Sequence, residues 1–176
     1  LGLADNSDVF IEQVGPDGRS VRDGDSFVPC ETRREVIRVK GAADVHEDVL
    51  LTPRGPIIGP ALDDEVESLS LRAMWLEPFP VRGFLLAHKA RSVEEFRGLL
   101  SDWPHISLNV GFADATGAIG WQLAGQVPRR RKGRGTLPTA GWDRDAGWED
   151  SYVSSTELPG VADPPQGFHA TANNQP

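Results

Sequence analysis

The stretch SVEEFRGLLSDWPHISLNVGFADATGAIGWQLAG, Ser92 to Gly125, sets a helix signal directly before a hairpin signal. Ser92-Val93-Glu94-Glu95 is a capping box, in which the Ser hydroxyl accepts from an early backbone N–H while Glu95 reaches back. Behind it Val93, Phe96, Leu99 and Leu100 fall on one helical face. Trp103-Pro104 ends that helix, because proline pushes the residue before it out of the α region. The chain then reads as a strand over Ile106–Ala113, a turn at Asp114-Ala115-Thr116-Gly117, and a return strand over Ala118–Gly125. Val81 to Lys89, following Pro80, predicts a shorter helix beside the first. A helix pair around 81–102 leading into an antiparallel hairpin predicts an α+β fold.

Working toward the N-terminus, strands dominate. Asp8-Val9-Phe10-Ile11-Glu12-Gln13-Val14 is rich in β-branched and aromatic residues and stops at Gly15-Pro16-Asp17-Gly18, a strong turn signal. Arg33–Val39 and Val45–Thr52, joined through Gly41-Ala42-Ala43-Asp44, predict a hairpin. Pro53-Arg54-Gly55-Pro56 breaks it before a short Ile57-Ile58 strand, and Leu69–Trp75 is a further strand. Toward the C-terminus, Pro128 to Pro165 is rich in Gly, Pro and Trp with weak periodicity. It predicts an ordered surface segment, since Trp142, Trp148 and Tyr152 favour burial. A last strand is expected over Gly167–Ala172, leading into Asn173-Asn174.

Composition bounds the function. The 176 residues are 39% hydrophobic and 25% charged, ordinary for a globular chain, with a formal net charge of −8. That acidic balance argues against a general nucleic-acid binder, because phosphate neutralisation needs basic excess. The basic run Arg129-Arg130-Arg131-Lys132-Gly133-Arg134 is the local exception. It reads more readily as a solvated loop between strands than as an anion site. No apolar run approaches the roughly 20 residues of a membrane-spanning helix. Cys30 is the single cysteine, which excludes an internal disulfide and a Cys-based metal site.

Generic motifs add little. His46, His88, His105 and His169 are scattered without zinc spacing, and neither a Gly-x-Ser-x-Gly elbow nor a phosphate-cradling loop is present. Asp5-Asn6-Ser7-Asp8 offers two carboxylates at a strand entry, suited to a hard cation, although on these residues alone a polar turn is the better reading. Thr171-Ala172-Asn173-Asn174 could aim a side-chain amide at a developing oxyanion, or form an Asx-turn.

In series, the chain resembles the β-chain of the penicillin acylase family, whose members are N-terminal-nucleophile hydrolases. The resemblance is carried by DNSDVFIE (5–12), REVIRVKG (34–41), TPRGP (52–56), FADATGAIG (112–120), Gly125–Arg130, Gly141-Trp142, Glu157-Leu158-Pro159 and TANN (171–174). Arg54 stands where the family's turn has His. The resemblance implies part of an αββα sandwich, mostly antiparallel, and a precursor that cuts itself to free an N-terminal Ser. That Ser uses its own α-amine, which titrates near pH ~8, as the base. Residues 1–176 would then be a single internal segment of the β-chain, truncated at both ends and lacking the nucleophile. The segment would be inactive alone.

By the same resemblance, the oxyanion hole takes the backbone N–H of Leu1 or its neighbour and the side-chain amide of Asn173. A structural Ca²⁺ of the parent protein takes Asp5, the Ser7 carbonyl and Asp8, with a further carbonyl from near Pro128. Its remaining ligands lie outside the chain, so calcium binding by the segment alone should be weak or absent. The substrate would be a small N-acyl amide: a β-lactam side chain, an acyl-homoserine lactone or similar. The partners would be the α-chain and the rest of the β-chain, with no nucleic acid and no membrane, and the location periplasmic or secreted. The rival readings are a non-catalytic ligand-binding module on the same scaffold and a calcium-binding β-rich domain.

Overall fold

The alternation in Asp8-Val9-Phe10-Ile11-Glu12 sends Asp8, Phe10 and Glu12 to one side of a strand, and burial follows that rhythm along Ser7–Glu12. The computed structural model describes residues 5–59, 67–104 and 106–170. In chain order its first strands are β1 (Ser7–Glu12), β2 (Ser20–Asp23), β3 (Ser26–Pro29) and β4 (Glu31–Ile37), then β5 (Val45–Thr52), β6 (Gly55–Gly59) and β7 (Ser68–Ala73). Helices α1 (Arg82–Leu86) and α2 (Val93–Leu99) follow. After them come β8 (Leu108–Ala113), β9 (Ile119–Ala124), β10 (Pro128–Arg130), β11 (Thr139–Ala140), β12 (Trp148–Tyr152) and β13 (Gly160–Ala162). Mostly antiparallel strands with two short helices make this an α+β chain, as the sequence predicts.

The chain divides into two compact units. One comprises Ser7–Ala73 and Arg130–Trp148. Its sheet has the order β11-β1-β7-β6-β5-β4, with β11 parallel to β1 and the other pairings antiparallel. Phe10, Val21, Ala73 and Trp148 are its buried apolar anchors. The β4–β5 hairpin runs in strict register from Glu31↔Leu51 to Ile37↔Val45, and every residue of β4 is exposed. β2 and β3 form a hairpin the sequence reading passed over. Its two-residue loop Gly24-Asp25 puts Gly24 at φ +60°, a conformation natural to glycine.

The other unit is built chiefly on Met74–Arg129, with chain from Glu149 onward. Here the antiparallel hairpin β8–β9 carries β13 on its outer edge. Leu100, Trp103 and Ala124 form the core, with Ala87, Phe96, Leu108 and Val110 packed against it. Ser92 Oγ accepts from Glu95 N at 3.1 Å, as the capping box requires, but Glu95 Oε2 accepts from Arg91 N rather than from Ser92. Asp114 stitches the turn together: Oδ1 accepts from the Thr116 hydroxyl at 2.6 Å and its N–H at 2.8 Å, while Oδ2 accepts from Val93 N at 3.2 Å.

Three expectations need revision. The strand expected over Leu69–Trp75 stops at Ala73 and gives way to a 3₁₀ turn over Met74–Leu76. The Pro128–Pro165 stretch is ordered as expected and carries β10 to β13, each of only two to five residues, too few to show a period. Trp148 is buried there, but Tyr152 is exposed. The final strand is absent from its described part: Gly167–Ala170 is irregular, Gly167 takes φ +73°, and Phe168 is 62% exposed. β13 already occupies the edge of β9.

Candidate functional site

Two carboxylates on the buried side of β1 must each find a positive partner, because an uncompensated buried charge is costly. Each finds an arginine. At the N-terminal end, Arg130 Nε lies 2.9 Å from Asp8 Oδ1 and 3.0 Å from Oδ2, and Arg130 Nη2 lies 2.8 Å from Oδ1. Trp148 Nε1 donates to Asp8 Oδ2 at 2.6 Å. Arg130 Nη2 also lies 3.4 Å from the Ser7 carbonyl oxygen. The two charged side chains are 11% and 9% exposed, so this is a buried pair.

At the other end, Arg54 grips Glu12 through Nε to Oε1 at 2.8 Å and Nη2 to Oε2 at 2.7 Å. Ser70 Oγ donates to Glu12 Oε1 at 2.6 Å. The Thr52 hydroxyl accepts from Arg54 N at 3.0 Å, and its own proton is within reach of both the Gly55 carbonyl and Glu12 Oε1. Glu12 is 0% and Arg54 11% exposed at the side chain. Burial alone would lower the Arg54 pKa, but the hydrogen bonds and charge of Glu12 outweigh it, leaving Arg54 held above its ordinary value. Nearby Cys30 is a free thiol pushed up first by burial and then by the Glu12 charge, which leaves it a poor nucleophile.

The expected site residues fare differently. Leu1 and Asn173, expected for the oxyanion hole, lie outside the described residues. Asp5 is exposed on the approach to β1, and Ser7 opens that strand. Asp8, the central ligand of the expected calcium site, presents a carboxylate whose two oxygens are taken up by Arg130 and Trp148. A Ca²⁺ ion needs those lone pairs, and it would sit beside a guanidinium already at ligand distance. The Asp8 donor set therefore does not fit calcium. Among the described residues, no group of three or more His, Cys, Asp or Glu side chains stands close enough to hold a metal.

Three cations of the basic run are paired with carboxylates. Arg129 pairs with Glu157 at 2.6 Å, Arg130 turns onto Asp8, and Lys132 meets Asp143 at 3.0 Å. Sequence reasoning missed Arg130 and Trp148 as partners of Asp8. The available signal was the spacing of Asp8, Phe10 and Glu12, which places two acids on one buried face. Gln122 was also missed: buried on β9, it donates through Nε2 toward the Ser155, Leu158 and Pro159 carbonyls at 3.0–3.2 Å and accepts from Arg97 Nη2 at 3.0 Å.

Comparison with known proteins gives these placements a setting. The penicillin amidase family matches residues 2–176. An acyl-homoserine lactone acylase QuiP of Pseudomonas fluorescens (strain Pf-5) is 34% identical over 177 residues, covering 97% of this chain and 22% of the relative. The penicillin acylase 2 proenzyme of Pseudomonas sp. (strain SE83) is 33% identical over 175 residues, with the same 97% and 22% coverage. Among solved structures, a thermostable penicillin G acylase from Alcaligenes faecalis superposes with a TM-score of 0.83 at 26% identity, covering 99% of this chain and 32% of that one. The chain thus spans about a fifth of the length of these curated relatives.

Proposed function

The chain belongs to the penicillin amidase family, and on that footing we propose that the complete protein hydrolyses N-acyl amides through an N-terminal Ser that precedes Leu1 in its precursor. The observation that carries the reading is the match across residues 2–176 together with relatives that are acylases. The Ser Oγ attacks the amide carbonyl while its proton passes to the α-amine and on to the leaving nitrogen. The C–N bond breaks to give an acyl-enzyme, which water then cleaves. The negative charge on each tetrahedral intermediate is met by the Leu1-region backbone N–H and the Asn173 side-chain amide. Within its own unit β1 is held at both ends by buried ion pairs, Asp8 with Arg130 and Glu12 with Arg54. The substrates are acyl-homoserine lactones or acylated β-lactams. The α-chain and the rest of the β-chain complete the site, and export to the periplasm or medium follows from the same resemblance.

Intact mass and N-terminal sequencing of the protein expressed from its complete gene test this first. A released chain beginning with Ser upstream of Leu1 is expected, and a protein that stays whole with no such terminus defeats the reading. Within the processed enzyme, Asn173→Ala should lower kcat by roughly 100- to 1000-fold with the fold retained. Near-normal turnover removes Asn173 from the oxyanion hole. Release of free amine from acyl-homoserine lactones and acylated β-lactams of varied acyl length then sorts the substrates.

A further inference from the structure

We propose that Arg130 is the resident cation at Asp8, standing in place of the calcium that the family resemblance implies, so that the complete protein holds no divalent metal there. Three observations carry this, independently of the catalytic reading. The first is occupancy: Arg130 Nη2 reaches Asp8 Oδ1, Trp148 Nε1 donates to Oδ2, and the single Arg130 Nε–H is shared between the two oxygens, all at 2.6–3.0 Å. The second is the Ser7 carbonyl, 3.4 Å from Arg130 Nη2. The guanidinium thus faces both the carboxylate and the backbone oxygen expected to ligate calcium.

The third observation is enclosure. Gly135 sits at φ +75° so close that a Cβ there would meet Asp8 Oδ1, and the same atom would lie 2.7 Å from Arg130 Nε and Nη2. The loop backbone therefore lies against the pair, where any side chain would collide. Arg72 lies over the Trp148 ring, its guanidinium carbon 4.6 Å from the ring centre. A second buried cation at Asp8 would be repelled by the first in a setting that screens poorly. A planar fork that cannot lose its proton is suited to hold a carboxylate permanently, without dependence on the cation supply.

Thermal melting of the complete protein in calcium and in excess chelator tests the proposal. Asp8→Asn removes the carboxylate charge and leaves Arg130 in place. Its Tm loss relative to wild type should be equal in both buffers; a loss that is larger in calcium makes Asp8 a calcium ligand and overturns the proposal. Arg130→Met removes the cation and leaves the carboxylate. Its Tm should fall in both buffers, because the buried carboxylate is left without its cation; a Tm equal to wild type's overturns the proposal too. If Arg130→Met does not fold, Asp8→Asn decides the matter alone.

Discussion

Arg54→Met would leave the Glu12 carboxylate, 0% exposed, with its charge uncompensated. Ser70 Oγ would still donate at 2.6 Å and the Thr52 hydroxyl would remain within reach at 3.3 Å, but neutral hydroxyls do not replace a bidentate guanidinium. Breaking a buried pair from one side costs about 3–5 kcal/mol, because the abandoned charge keeps its desolvation penalty. Glu12→Leu should cost a similar amount by stranding Arg54, whereas the double variant removes both charges and should recover most of the loss. Arg34→Met supplies an internal scale: its bidentate partner Asp48 lies across the β4–β5 hairpin, yet the two side chains are 69% and 39% exposed, so solvent screens the pair and its loss should be the smaller one. Urea unfolding followed by tryptophan fluorescence is the assay, since Trp142 and Trp148 belong to the same unit as the pair. An Arg54→Met loss no greater than that of Arg34→Met refutes the reasoning, as do single losses that simply add in the double variant.

Other consequences are as direct. Gln122→Leu strands three carbonyls and Arg97 around a buried position, and should lower stability by about 1–3 kcal/mol in the same urea assay. Gly83→Ala would drive a Cβ into the Leu99 carbonyl where α1 meets the end of α2; a loss of about 1–3 kcal/mol, with faster hydrogen exchange over Arg82–Leu86, is the expected outcome. Asp114 is held below its ordinary 3.8 by the Thr116 hydroxyl first and by backbone N–H groups after it. A depressed folded pKa contributes stability above the unfolded value, which is lost as pH falls from about 3.8 through the folded value. Asp114→Asn should therefore flatten the acid limb of a pH–Tm profile, and an unchanged limb argues against the assignment.

What the sequence revealed was what short range determines. The Asp114–Gly117 turn carries its own hydrogen bonds, so the β8–β9 hairpin was legible, and Ser92 likewise marks the start of α2. Over Gly167–Ala170, the described part of the expected last strand, the chain is irregular, while β13, three residues long and without a pattern, pairs with β9. At the site the limit was distance along the chain. Asp8 and its spacing to Glu12 were visible, but nothing local tells that a guanidinium 122 residues away would reach it. Arg54 was noticed only as a departure from the family's His; its pairing with Glu12, 42 residues distant, explains what the larger cation does there.

The same separation sets a timetable for biosynthesis. Asp8 leaves the ribosome long before Arg130, and at about 5–20 residues per second the interval is roughly 6–25 s. Trp148, the other donor to Asp8, follows 140 residues after it. Throughout that wait the nascent β1 carries a carboxylate that must stay hydrated, and its flank awaits β11. The acid that later locks the strand thus first keeps it wet, a gatekeeper charge that guards an apolar stretch against premature pairing until its partner has been translated.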